Sequence, residues 1–215
     1  MKNIYYLFIL LSLISCRENS NSVESSLQED NNTTTSKDQE DQREPLREIT
    51  NVEDIKKEYS YILSLTKSGS MDSTFFNYNC NGEKEGKVIY FYKDEQLRLI
   101  RHTYNEYSHF SATDEYFIKA GELFFVFYDQ LAWNFAGQNQ TEDNITERRF
   151  YILNNQPVEC LEKKYTVISN DENSPESGRV ANKKIDCTSF EEVIDDFDLL
   201  FGLKDQEGDL ECLEK

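Results

Sequence analysis

Acid–base chemistry near neutral pH needs a group that titrates there, and this 215-residue chain has two histidines, His102 and His109. His109 closes the polar run Tyr104-Asn105-Glu106-Tyr107-Ser108, and Asp114 and Glu115 follow close behind. A histidine beside a carboxylate can shuttle a proton or hold a metal ion, so His109 with Glu106 or Asp114 is the candidate hydrolytic pair. His102 sits beside Arg101 in a strand-like run and is expected to be a half-exposed strand histidine, neither base nor ligand. Two histidines without a third ligand at a defined spacing do not make a zinc site, so neither metal nor cofactor is expected. The chain contains no G-x-S-x-G, H-E-x-x-H, G-x-G-x-x-G or P-loop pattern. It is read as a non-catalytic protein, with an envelope hydrolase built on His109 as the alternative.

Cys16 is the residue with the most specific context. Lys2 supplies a positive start, Ile4 to Leu13 is apolar except for Ser12, and Leu13-Ile14-Ser15-Cys16 follows. The apolar run is too short for a helix to cross a ~30 Å hydrocarbon core and sits where a signal peptide sits. Leu13-Ile14-Ser15-Cys16 resembles the lipobox of bacterial lipoproteins. That resemblance implies removal of residues 1–15, a diacylglycerol on the Cys16 sulfur and acylation of the new amine. Several acyl chains, at ~0.8 kcal/mol per buried methylene, make a stable membrane anchor. Arg17 and Glu18, rather than an aspartate, follow the cysteine, which favours the outer membrane over the inner. Export also makes disulfides the expected state of Cys80, Cys160, Cys187 and Cys212. Four cysteines allow three pairings, and spacing does not choose among them.

Charge is concentrated at the ends. The chain carries −18 overall, with nine acids and four bases in residues 17–48 and ten acids and two bases in residues 189–215. Nucleic-acid binding is excluded as an expectation, because phosphate neutralisation needs a basic surface. A cationic protein is the partner such a surface would attract. Residues 16–48 are rich in Ser, Asn, Thr, Gln, Asp and Glu, and are expected to form a disordered tether behind the lipidated cysteine.

The folded part is expected over residues 49–203, with an acidic tail over 204–215. Thr50-Asn51-Val52-Glu53 has capping-box spacing, and Val52, Ile55, Tyr59, Ile62 and Leu63 form a helical stripe ending near Gly69. Seven runs rich in Val, Ile, Phe and Tyr follow, separated by polar turns such as Asn81-Gly82 and Ala120-Gly121. Three of the hairpins repeat one pattern: an aromatic strand, a polar turn and a second strand. They start at Tyr90, Tyr116 and Phe150. The pattern predicts an antiparallel meander of six to eight strands. The first two hairpins resemble the Tyr-Tyr-x-x-x-Gly-x-Leu repeats of secreted bacterial proteins. Residues 168–186 are expected to be a long loop, and Val193, Ile194, Phe197, Leu200 and Phe201 mark a second helix. The fold class is therefore α+β, a meander flanked by an N-terminal and a C-terminal helix.

Aromatic residues crowd the sheet, and Leu123-Phe124-Phe125-Val126-Phe127-Tyr128 is apolar on both faces. Either both faces are covered within the chain, or one remains as a binding surface. Phe125, Phe127, Tyr107, His109 and Trp133 are the candidate surface, with Trp133 placed at the start of a Gln/Asn-rich loop. With its lipobox, its Asn/Lys/Glu-rich composition and its hairpins, the chain resembles small lipoproteins of the Bacteroidetes type. Tyr78-Asn79-Cys80, Gly82 and the strand Val88 to Tyr92 resemble the opening of c-type lysozyme-inhibitor lipoproteins. Of that family's loop motifs, Ser111 to Lys119 keeps only a Ser, a Tyr and a Lys. The resemblance implies an inhibitor or immunity role against a cationic envelope enzyme.

Overall fold

The computed structural model describes residues 48–137 and 139–213. The signal peptide, Cys16 and all of the tether but Glu48 lie outside the described residues. Eight strands form one antiparallel sheet in sequence order: β1 Asp72–Cys80, β2 Lys84–Lys93, β3 Gln96–Glu106, β4 Phe110–Lys119, β5 Glu122–Gly137, β6 Gln140–Leu153, β7 Gln156–Ile168 and the short β8 Lys183–Lys184. Helix α1 (Val52–Ser68) precedes the sheet and α2 (Phe190–Gly202) follows it. This is the expected α+β meander with two flanking helices.

The hairpin repeat has a physical basis. The turns Asp94-Glu95, Ala120-Gly121 and Asn154-Asn155 all have positive φ at both central residues, between 50° and 83°. Two-residue turns of this kind match the right-handed twist of the strands they join. Each is followed by the same irregularity: one extra residue in the second strand, at Arg98, Phe124 and Val158. A bulge of this kind puts two successive residues on one face. Leu97 accordingly packs toward α2, whereas Leu99 packs toward α1.

Both sheet faces are covered within the chain, which resolves the two-faced apolar run of β5. Ile55 and Ile62 of α1 pack on Leu99, Phe117, Phe124, Phe125 and Tyr151. Val193, Phe197 and Leu200 of α2 pack on the opposite face, among Tyr90, Ile100, Tyr116, Val126 and Phe150. Each fully buried side chain of this size contributes about 1.5–3 kcal/mol. Helix α1 begins one residue later than the capping-box spacing suggests. Asn51 caps by accepting the Asp54 amide at 3.0 Å, and Asp54 accepts from the Thr50 hydroxyl at 2.9 Å. Gly69 ends the helix at φ 67°, as expected.

The disulfides pair Cys80 with Cys212 and Cys160 with Cys187. Each staples a cover onto one edge of the sheet. On the outer side of β1, the Leu210 amide donates to the Asn77 carbonyl at 2.9 Å, and Asp209 accepts from the Asn77 amide at 2.8 Å. On the outer side of β7, β8 pairs with Leu161 and Glu162, and the Ile185 amide donates to the Cys160 carbonyl at 3.0 Å. Exposed strand edges invite pairing with other chains, and these covers block both. The segment after α2 is therefore not a free acidic tail, and the loop 168–186 carries β8 and a single 3-10 turn, Ser177–Arg179.

Candidate functional site

The strand ends bearing the β3–β4 and β5–β6 connections hold most of the expected surface. Trp133 lies within β5, not in a loop, because β5 and β6 run on as a long paired arm, with Trp133 opposite Asp143 and Phe135 opposite Thr141. His109 is exposed. Its ring lies 4.1 Å from that of Trp133, and its Nδ1 is 3.2 Å from the Trp133 carbonyl. Trp133 Nε1 donates to the Ser108 carbonyl at 2.6 Å, which pins the arm to the β3–β4 turn. Phe135 packs against Trp133 at 5.3 Å and is 77% exposed, and Tyr107 in the turn is 72% exposed.

The expected hydrolytic pair is not formed. Glu106 is engaged by Lys84 at 2.9 Å, and Asp114 is buried beneath α2, opposite His102 in the β3–β4 ladder. His109 is exposed on a turn and hydrogen-bonds the Trp133 carbonyl rather than either carboxylate. Two further expectations are corrected. Phe125 is only 3% exposed, packed under Tyr59 and Tyr151, and cannot serve as surface. His102 is buried rather than half-exposed, because its side chain points to the α2 face. Phe127 stays partly exposed, with the Arg149 guanidinium 4.6 Å above its ring.

The unusual chemistry lies at that buried position. His102 Nε2 and the Tyr78 hydroxyl share a hydrogen bond of 2.8 Å, and Tyr104 stacks on the other side of the imidazole at 4.5 Å. Tyr78 reaches His102 by lying across Gly86, where any Cβ would come within 2.7 Å of the tyrosine ring. Burial, aided by the Lys84 charge, pulls the His102 pKa down to about 3, so its imidazole is neutral. Asp114 is the next residue across the sheet. Burial, reinforced by the nearby Asp196 of α2, pushes its pKa up to about 7, against a hydrogen bond from Tyr104 and the Lys84 charge. Asp129 on β5 adds a smaller upward push.

Asp114 Oδ1 is buried and has no hydrogen-bond partner. Three hydroxyls around it are committed elsewhere, Tyr78 to His102 and Tyr116 and Tyr128 to each other at 3.1 Å, while Tyr104 bonds to the Asp114 carboxyl without satisfying Oδ1. Asp114 lines a cavity of ≈ 230 Å³ with Lys84, His102, Tyr104, Tyr116 and Asp196, between the sheet and α2. Sites for whole small molecules occupy about 300–1,000 Å³, so this one suits a side chain or small ion. Asp114 lies across the sheet from His102 rather than beside His109. The signal that could have found its partner is the strand alternation that puts His102, Tyr104, Asp114 and Tyr116 on one face.

Around this cavity the surface is acidic. Glu191, Glu192, Asp195 and Asp198 of α2 are exposed, as are Asp205, Glu207, Asp209 and Glu211 of the segment stapled by Cys212. Lys204 is the one base between residues 189 and 213. Among the described residues, no group of three or more His, Cys, Asp or Glu is arranged to hold a metal, and no helix is long and apolar enough to cross a membrane. Comparison with protein-family models, with curated proteins and with solved structures finds no match to this chain.

Proposed function

We propose that this chain is a non-catalytic binding module of the cell envelope, held by a lipid on Cys16, whose α2 face receives a cationic protein. The supporting observation is the run of exposed carboxylates on α2 and on the segment from 205 to 211, with Lys204 the one base among them. Such a surface raises the local concentration of cationic partners and speeds their encounter. Its backbone is fixed by the Cys80–Cys212 disulfide and by the Asn77–Asp209 hydrogen bonds, so the charges are presented on a rigid frame. The lipobox supports the anchor, and the Ser/Asn/Glu-rich stretch behind it would let the domain reach roughly 30 Å from the membrane.

The test is crosslinking in intact cells, comparing the native protein with a variant carrying Glu191→Gln, Glu192→Gln, Asp195→Asn and Asp198→Asn. The expected result is one basic protein captured by the native chain, lost from the variant and weakened by salt. Capture of the same set by both proteins would overturn the reading. Cys16→Ala separates the anchor from the surface: it is expected to release the protein from the membrane fraction without changing what purified protein binds.

A further inference from the structure

A buried acceptor without a donor costs about 1–3 kcal/mol, and native folds rarely leave one. Asp114 Oδ1 is such an acceptor: the residue is 6% exposed, it lines the cavity under α2, and the hydroxyls of Tyr78, Tyr116 and Tyr128 bond elsewhere. Asp196 brings a second carboxyl to the same cavity from the helix side. Two carboxyls sharing a small, poorly hydrated space favour a cation between them. The walls suit a cation too. The Tyr104 ring already carries the Lys84 ammonium 4.3 Å from its centroid; Lys84 lines the same cavity and is ion-paired with Glu106 at 2.9 Å. His102, kept neutral by burial, adds no competing positive charge.

We propose that this cavity is a socket for the ammonium group of a lysine side chain presented by the cationic partner of the α2 face. The inference rests on the reading of that face given above. An ammonium is favoured over a guanidinium, because a single unpaired carboxylate oxygen offers a point acceptor rather than a two-pronged one. The volume of ≈ 230 Å³ admits one side chain and not a whole ligand. Entry of the ammonium would supply the missing donor to Oδ1 and relieve the repulsion between Asp114 and Asp196. It would also stabilise the ionised form of Asp114, so binding strengthens as pH rises through the point where that group ionises. Lys84, Tyr104 and Asp129 from the sheet and Asp196 from α2 set this point, and the titratable His102, Tyr116 and Tyr128 lie beside it.

The test is titration calorimetry of the full chain with an acetylated tetralysine amide and with its Nζ-trimethylated counterpart at equal ionic strength. Trimethylation keeps every charge but removes the N–H donors and enlarges the head. The expected result is roughly tenfold tighter binding of tetralysine, in the range set by one buried charged hydrogen bond. Asp114→Asn is expected to abolish the difference. A carbon-detected NMR titration of the native protein reads the same event without a variant: the Asp114 ionisation midpoint is expected to fall when tetralysine is bound. Equal binding of the two peptides would overturn the socket and leave the acidic face standing. Binding of neither would overturn both. An Asp114 midpoint that tetralysine does not move would also overturn the socket.

Discussion

Each face of the sheet buries charge, and the two do it in opposite ways. Under α1, Arg98 is 0% exposed and fully engaged. It is ion-paired with Glu58 and donates to the Ile118 carbonyl at 3.2 Å, while Lys119 closes on the other Glu58 oxygen at 2.6 Å. Under α2, Asp114 is nearly as buried but keeps an oxygen without a donor and faces a second carboxyl. The first arrangement leaves nothing for a ligand to add. The second is improved by any cation that reaches it. The contrast separates burial that holds the fold from burial that is poised for a partner.

The contrast can be broken from either side. The largest expected effect is Arg98→Met, which leaves Glu58 buried with Lys119 alone and should cost about 3–5 kcal/mol by urea unfolding. A loss under 1 kcal/mol would mean that the α1 network does not hold the fold. Next is the Cys80→Ser/Cys212→Ser pair, expected to cost about 2–4 kcal/mol and to raise hydrogen exchange in β1 and in residues 209–211 first. Unchanged exchange there would show that the edge cover stands without its staple.

A smaller effect depends on pH, and its sign is specific. Asp114 has a folded pKa of about 7, above its ordinary value of 3.8, so its contribution to stability is lost as pH rises through about 7. Between pH 5 and pH 8 the native protein should lose roughly 2–3 kcal/mol from this group, and Asp114→Asn should remove that slope. Against burial, which raises its pKa, Glu147 is held to about 2 by the Ser177 hydroxyl and by Arg149 and Lys163, and it acts in the opposite sense. Its contribution is present above 4.5 and is lost as pH falls through about 2, so it does not alter the window between pH 5 and 8. The smallest expected effect is Tyr78→Phe, about 1 kcal/mol from the lost bond to His102. Its diagnostic is a shift in the His102 ring resonances. Their invariance would mean that the bond does not form in solution.

Much of this frame is legible in the residues. The turn pairs Asp94-Glu95, Ala120-Gly121 and Asn154-Asn155 are polar or small residues between aromatic strands, and that pattern alone implies hairpins in series. Helix stripes follow from 3.6-residue spacing, whereas the α1 cap falls on Asn51, one residue beyond the Thr50 that the spacing suggests. The arm formed by Asp129–Gly137 and Gln140–Glu147 was not legible, because Leu131, Trp133 and Phe135 alternate on one strand while the facing strand offers a single large apolar residue, Ile145. Arg98 was not legible as a core residue either. The bulge that turns it inward beside Leu99 leaves no mark in a run where leucines already alternate with charged residues. Asp114 was recognisable as a group that could do chemistry. Its partner was not, since His109 is nearer in sequence and His102 is nearer in space. Disulfide pairing waited on the fold, because only the meander order brings Cys80 to one edge and Cys160 to the other.

The burial of Asp114 beneath α2, with its Oδ1 unpaired, sets the α2 face apart from the α1 face. It is tested most directly by following the Asp114 side-chain carboxyl carbon by NMR across a pH titration of the purified protein. Burial beside Asp196 puts the expected ionisation midpoint near 7. A midpoint in the ordinary aspartate range, near 3.8, would contradict it.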